Sequence, residues 1–156
     1  MGIGQISAIA LAAILITTQL VTGAEPLPSE TRLLLFGGGP RPKPALRLLG
    51  EWAGGNSGNV LVIAWGTEDP KGATREIRGQ LKGDFAQITI TAAPDMPMSA
   101  ADRKAFLSQL DQATAIYVTG GDQNRILDSI AAFPRIDLAA KIRARFQAGI
   151  PFAGTS

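Results

Sequence analysis

The chain of 156 residues contains no cysteine and no histidine. Lacking cysteine, it has no disulfide, no thiol nucleophile and no thiolate metal site. Lacking histidine, it is without the commonest metal ligand and the commonest general base near neutral pH. Charge is also sparse: 18% of residues are charged and the net charge is +2. The basic residues are scattered and form no stripe interleaved with aromatics, which argues against a nucleic-acid partner. Aromatics make up 6% and include a single tyrosine. Any chemistry therefore rests on hydroxyls, carboxylates, lysine, arginine and backbone amides, with no metal and no cofactor expected.

What is present is apolar and patterned. Hydrophobic residues reach 46%, enough for a packed core and a globular chain. The length allows one domain at most. Residues 1–24 carry no charged side chain, and Ile9 to Thr18 forms an apolar, helix-prone stretch. Thr22, Gly23 and Ala24 then supply small residues before Glu25 and Pro26. This is the layout of a signal peptide, although no Lys or Arg follows Met1. Export to the periplasm or the extracellular space is expected, with no membrane attachment after cleavage. Residues 25–31 read as a polar linker and 32–156 as one domain.

Within that domain short apolar runs alternate with amphipathic ones. Residues 32–36 form a nearly continuous apolar run, the pattern of a central parallel strand buried on both faces. Further strands are expected at 60–64, at 86–91 nearer a sheet edge, at 115–119 and at 150–153. Between them, helical spacing predicts helices over 44–53, 71–81, 99–110, 123–130 and 137–147, the last two separated at Pro134. Ser99 with Asp102 three residues on reads as a helix start. Strand–helix alternation of this kind predicts a doubly wound α/β parallel sheet with helices on both faces.

Ligands of open α/β sheets sit at the carboxyl ends of the strands, and the glycines and hydroxyls of this chain gather there. Gly37 to Gly39 suits an anion cradle or, more plainly, a tight turn; Pro40 and Pro42 rule out a dinucleotide fingerprint. Glu68 and Asp69 place two carboxylates after the second strand, as substrate contacts or as solvated loop charges. Thr119-Gly-Gly-Asp-Gln-Asn-Arg125 opens a helix with a glycine pair, which aims backbone N–H groups at an oxyanion. Asp122 there suits either a ligand contact or a helix cap. Ile150-Pro-Phe-Ala-Gly-Thr-Ser156 reads as a strand entering a nucleophile elbow, with Gly154 two residues before the serine to avoid a clash.

The pairing of Tyr117-Val-Thr-Gly-Gly-Asp-Gln-Asn-Arg125 with Ile150-Pro-Phe-Ala-Gly-Thr-Ser156 resembles serine peptidase family S51, which contains cyanophycinase and the aspartyl dipeptidases. The likeness to cyanophycinase is the stronger, and the first strand ending in three glycines fits it too. The resemblance covers most of 32–156 and implies a three-layer, glutamine amidotransferase-like or flavodoxin-like fold. It implies Ser156 as nucleophile, Gly121 as a source of an oxyanion N–H, and Asp122 and Gln123 as substrate-binding groups. It further implies hydrolysis of β-aspartyl-arginine or related aspartyl peptide bonds through an acyl-enzyme.

In that family a histidine further along completes the site. On this reading the chain is an N-terminal part of an exported peptidase that stops at its nucleophile. Alone it is expected to be nearly inert, with apolar surface uncovered on one flank. Pro40-Arg-Pro-Lys-Pro44 departs from the acidic and lysine residues usual after the three glycines, which bears on substrate choice. Two alternatives stand beside this one: an enzyme cutting α-linked aspartyl dipeptides, and a non-catalytic α/β module that binds a small anionic ligand. The expected partner is a peptide substrate of aspartyl or arginyl type, and a homodimer is compatible with the sequence.

Overall fold

The computed structural model describes residues 30–133 and 136–156. The expected signal segment, most of the linker and the break at Pro134 lie outside the described residues. Five strands form one parallel sheet: β1 (Leu33–Phe36), β2 (Asn59–Ile63), β3 (Thr89–Ala92), β4 (Ala115–Val118) and β5 (Phe152–Thr155), in the order β1-β5-β4-β2-β3. Every neighbouring pair is parallel. The helices are α1 (Lys43–Trp52), α2 (Pro70–Asp84), α3 (Ala100–Gln112), α4 (Gln123–Ala131) and α5 (Leu138–Gln147). The doubly wound α/β fold read from the alternation is the observed one.

Period-two alternation along the strands divides the core between the two faces. Val60, Val62, Ala64, Ala115 and Tyr117 join Leu46 and Leu49 of α1 and Ile77 and Leu81 of α2. Leu61, Ile63, Trp65 and Ile116 join Phe106 and Leu110 of α3, Phe133 and Leu138, with Ile126, Ile130 and Ile142 of α4 and α5 packed against them. Helices α1 and α2 thus cover one face and α3, α4 and α5 the other. Each fully buried Leu or Ile in these layers contributes about 1.5–3 kcal/mol.

Local signals set the helix starts. Ser99 and Asp102 form a reciprocal capping box at α3. Asp69 and Asp137 cap α2 and α5 through side-chain bonds to the N–H groups of Gly72 and Ala140. Pro44 and Pro70 sit in the first turns of α1 and α2, where a missing N–H costs nothing.

Two placements differ from the sequence reading. β1 is not central: among the described residues it lies at the sheet edge, paired only with β5. Its inner face carries Leu34 and Phe36, while Leu33 and Leu35 on the other face are 51% and 77% exposed. The apolar run looked like a strand buried twice because a run of leucines reports hydrophobicity but not which strand will pair. β5 also runs two residues further than expected, so Gly154 and Thr155 are strand residues and Ser156 follows directly. Among the described residues no helix is long and apolar enough to cross a membrane.

Candidate active site

The chain leaves β2 towards β3 on one side of the sheet and returns past it to β4 on the other, so strand order reverses between β2 and β4. Helices α2 and α4, which follow these strands, lie on opposite faces. A crevice opens at such a point. The turns after β2 and β4 meet there: the Asp122 N–H donates to the Gly66 carbonyl at 2.9 Å. Gly121 makes this approach with φ of +134°, and a Cβ on it would lie 2.1 Å from the Gly66 oxygen. Only glycine fits. None of the described residues accepts a hydrogen bond from the Gly121 N–H.

One strand over, Ser156 emerges from the end of β5. Its N–H donates to the Phe36 carbonyl of β1 at 3.1 Å, and its own carbonyl packs against Gly120, where a Cβ would meet it at 2.5 Å. The nucleophile candidate is therefore held between the β1 strand and the β4 turn. Gly154 makes no comparably close approach: a Cβ there meets only the Val118 carbonyl, at an ordinary 3.7 Å. The close approach to Ser156 is made by Gly120 of the β4 turn.

Ser156, Thr155, Thr119 and Gly120 open into a cleft of about 560 Å³. Its other walls come from Gly39 to Arg41 after β1, from Thr67 after β2, and from Ala73, Glu76 and Gln80 of α2. Arg41 crosses this cleft with its side chain only 11% exposed. Its Nε donates to the Tyr117 hydroxyl at 2.6 Å, and its Nη1 to Glu76 Oε1 at 2.5 Å. The guanidinium also lies 5.8 Å from the centre of the Tyr117 ring. Burial works against the charge, but hydrogen bonds and charge attraction from Glu76 and Tyr117 outweigh it and hold the Arg41 pKa above its ordinary value. The Tyr117 hydroxyl in turn meets Thr155 Oγ1 in a short hydrogen bond.

Asp122 and Gln123 occupy the start of α4. The Asp122 carboxylate accepts from the Asn124 N–H at 2.8 Å, a helix cap, and Gln123 is exposed. Neither lines the cleft. Glu68 pairs with Arg125 at 2.8 Å near the surface, and Gly37 to Gly39 form an open turn with nothing within 4 Å of any added Cβ. Beyond Thr67 a second hollow of about 660 Å³ lies among Trp65, Glu68, Asp95, Arg125 and Asp128.

Residues 72–156 match the sequence profile of peptidase family S51. The chain belongs to peptidase family S51. The matched span runs from α2 to Ser156 and takes in every cleft residue except those after β1 and Thr67. Among solved structures the S51 chain resembles the crystal structure of a peptidase from an acI-B1 actinobacterium, with 19% sequence identity and a TM-score of 0.56. The likeness covers 80% of this chain and 53% of that one, so the S51 chain spans about half the length of that structure. At this identity the likeness is one of fold. No curated protein resembles the chain closely enough to count as a match.

The motifs quoted above give no role to Arg41, Thr119 or Thr155, which line the same cleft as Ser156, or to Tyr117, which is buried behind it and bonded to Arg41 and Thr155. One signal was available in the sequence. Tyr117 is the single tyrosine, set in an otherwise aliphatic strand, and a buried phenol needs a hydrogen-bond partner.

Proposed function

We propose that the protein is a serine peptidase resembling cyanophycinase, hydrolysing β-aspartyl-arginine or related aspartyl peptide bonds through an acyl-enzyme on Ser156. The observation that carries the proposal is the convergence of Ser156 with the Gly120–Gly121 turn, whose Gly121 N–H has no acceptor among the described residues. A serine at a strand end next to a turn with an unpaired backbone N–H supports an acyl-transfer reading. Ser156 Oγ attacks the amide carbonyl, the oxygen gains charge and is held by the Gly121 N–H, and the C–N bond breaks as the amine leaves with a proton. Water then attacks the ester and releases the acid, returning the proton to the serine.

The proton needs a carrier. The sequence has no histidine, and the family's usual base is one, so the proposal includes an imidazole supplied from outside residues 1–156. Gln123, exposed at the α4 start outside the cleft walls, is the proposed positioning group for substrate that extends past the cleft, with Asp122 capping the helix that carries it. Export, as residues 1–24 suggest, belongs to the same proposal.

The test is cleavage of β-aspartyl-arginine and of α-aspartyl dipeptides by the complete protein, with product analysis. Ser156→Ala is expected to lower kcat by about a thousandfold or more, as loss of a nucleophile does. Preference for the α-linked peptide would move the assignment to an aspartyl dipeptidase. Undiminished turnover in Ser156→Ala would remove the serine from the mechanism.

A further inference from the structure

The hydrogen-bond directions beneath Ser156 are fixed by donor arithmetic. Arginine has only donors, so the Tyr117 oxygen accepts from Arg41 Nε. Tyr117 is fully buried, and a buried phenol hydrogen needs an acceptor. Among the described residues Thr155 Oγ1 is the only acceptor within reach. Tyr117 therefore donates to Thr155, whose own hydroxyl hydrogen is left to point elsewhere. No described residue accepts it, and Thr155 lines the cleft next to Ser156. Beside it, next along the β4–β5 pairing, Thr119 lines the same cleft, and its buried hydroxyl has no partner among the described residues.

From this geometry we infer that Thr155 is a substrate-binding residue: its hydroxyl, oriented by the Arg41–Tyr117 pair, donates to an acceptor oxygen of the peptide beside the scissile bond. The inference rests on the serine-peptidase reading and deepens it. The direction Arg41 to Tyr117 to Thr155 to substrate is set because its first member cannot accept, so the donor is presented before substrate arrives. Glu76 and Gln80 of α2 hold the guanidinium at the other end, which fixes the start of the relay to a helix.

The experiment compares Thr155→Val, Thr155→Ser and Tyr117→Phe in the complete protein. It follows kcat/KM on the better aspartyl peptide, labelling of Ser156 by phenylmethylsulfonyl fluoride, and the thermal midpoint. Thr155→Val, which removes only the hydroxyl, is expected to lose about tenfold in kcat/KM, chiefly through KM, the loss of one hydrogen bond. Thr155→Ser is expected to keep activity within about threefold. Tyr117→Phe leaves Thr155 in place but frees its hydrogen to turn away, and is expected to fall between the two. It also carries the test if Thr155→Val does not fold. Wild-type kcat/KM in Thr155→Val or in Tyr117→Phe overturns the inference, as does equal impairment of the valine and serine variants, which would assign the effect to packing. A wild-type protein that neither labels at Ser156 nor cleaves refutes the serine-peptidase reading itself, and the inference falls with it.

Discussion

Gly121→Ala is the sharpest probe of how the site is held. The residue has φ of +134°, a region that L side chains enter at a cost of about 1–3 kcal/mol. A Cβ there would also lie 2.1 Å from the Gly66 carbonyl oxygen and 2.9 Å from the Thr67 nitrogen. To reach the 3.0 Å that real Cβ atoms keep, the two turns must separate by about 0.9 Å. Yet the Gly66 carbonyl accepts the Asp122 N–H at 2.9 Å, and a movement of that size breaks this bond, a further loss of about 0.5–1.5 kcal/mol. Together these make Gly121→Ala less stable by about 2–4 kcal/mol, which for a domain of this size lowers the thermal midpoint by about 6–15 °C. Circular dichroism during heating, alongside urea unfolding, measures it. Gly154→Ala is the control, since its Cβ meets only the Val118 oxygen at 3.7 Å, and its change is expected to stay within about 1 kcal/mol. If Gly121→Ala unfolds with Gly154→Ala and wild type, the two turns are not packed as described.

Two further predictions concern stability. Phe106 is fully buried, with its ring 4.9 Å from Trp65 and 5.9 Å from Phe133; Phe106→Ala is expected to cost about 3–5 kcal/mol in urea unfolding, and a loss under about 1 kcal/mol would show the aromatic cluster is not packed. Hydrogen bonds from Ser99 hold the Asp102 carboxyl below its ordinary value. A depressed carboxyl contributes stability above its unfolded pKa that fades as pH falls through the folded one. The thermal gap between wild type and Ser99→Ala is therefore expected to shrink below about pH 4, and a gap independent of pH would contradict the cap.

Much of the fold was legible because its signals are local. The runs at 60–64 and 115–119 are apolar without interruption, and both became inner strands with every side chain buried or nearly so. Ser99 and Asp102 announce α3 within four residues. Strand order is different, since it depends on partners far along the chain, and β1 was misread for that reason. Trp65, just past β2, carries no local signal of its burial, yet it is 6% exposed and its indole donates to the Pro94 carbonyl at 3.1 Å. The site divides the same way. The glycine pair and the terminal serine are contiguous motifs and could be read. Arg41 and Tyr117 are 76 residues apart, and Tyr117 and Thr155 are 38 apart. The pairing of β5 with β4 on one side and with β1 on the other joins them.

The edge position of β1 has a kinetic side. Its only strand partner among the described residues is β5, with Leu33 opposite Phe152 and Phe36 opposite Thr155. Residues 33–36 thus wait for residues 152–155, and closing so long a loop is slow relative to forming the neighbouring β2–β3 pair. During synthesis β2, β3 and β4 can pair while β1 remains an unpartnered leucine-rich segment. The same late event that docks it brings the Phe36 carbonyl to the Ser156 N–H. The cleft is then built only once β1 has joined β5, after the β2–β3 pair has formed.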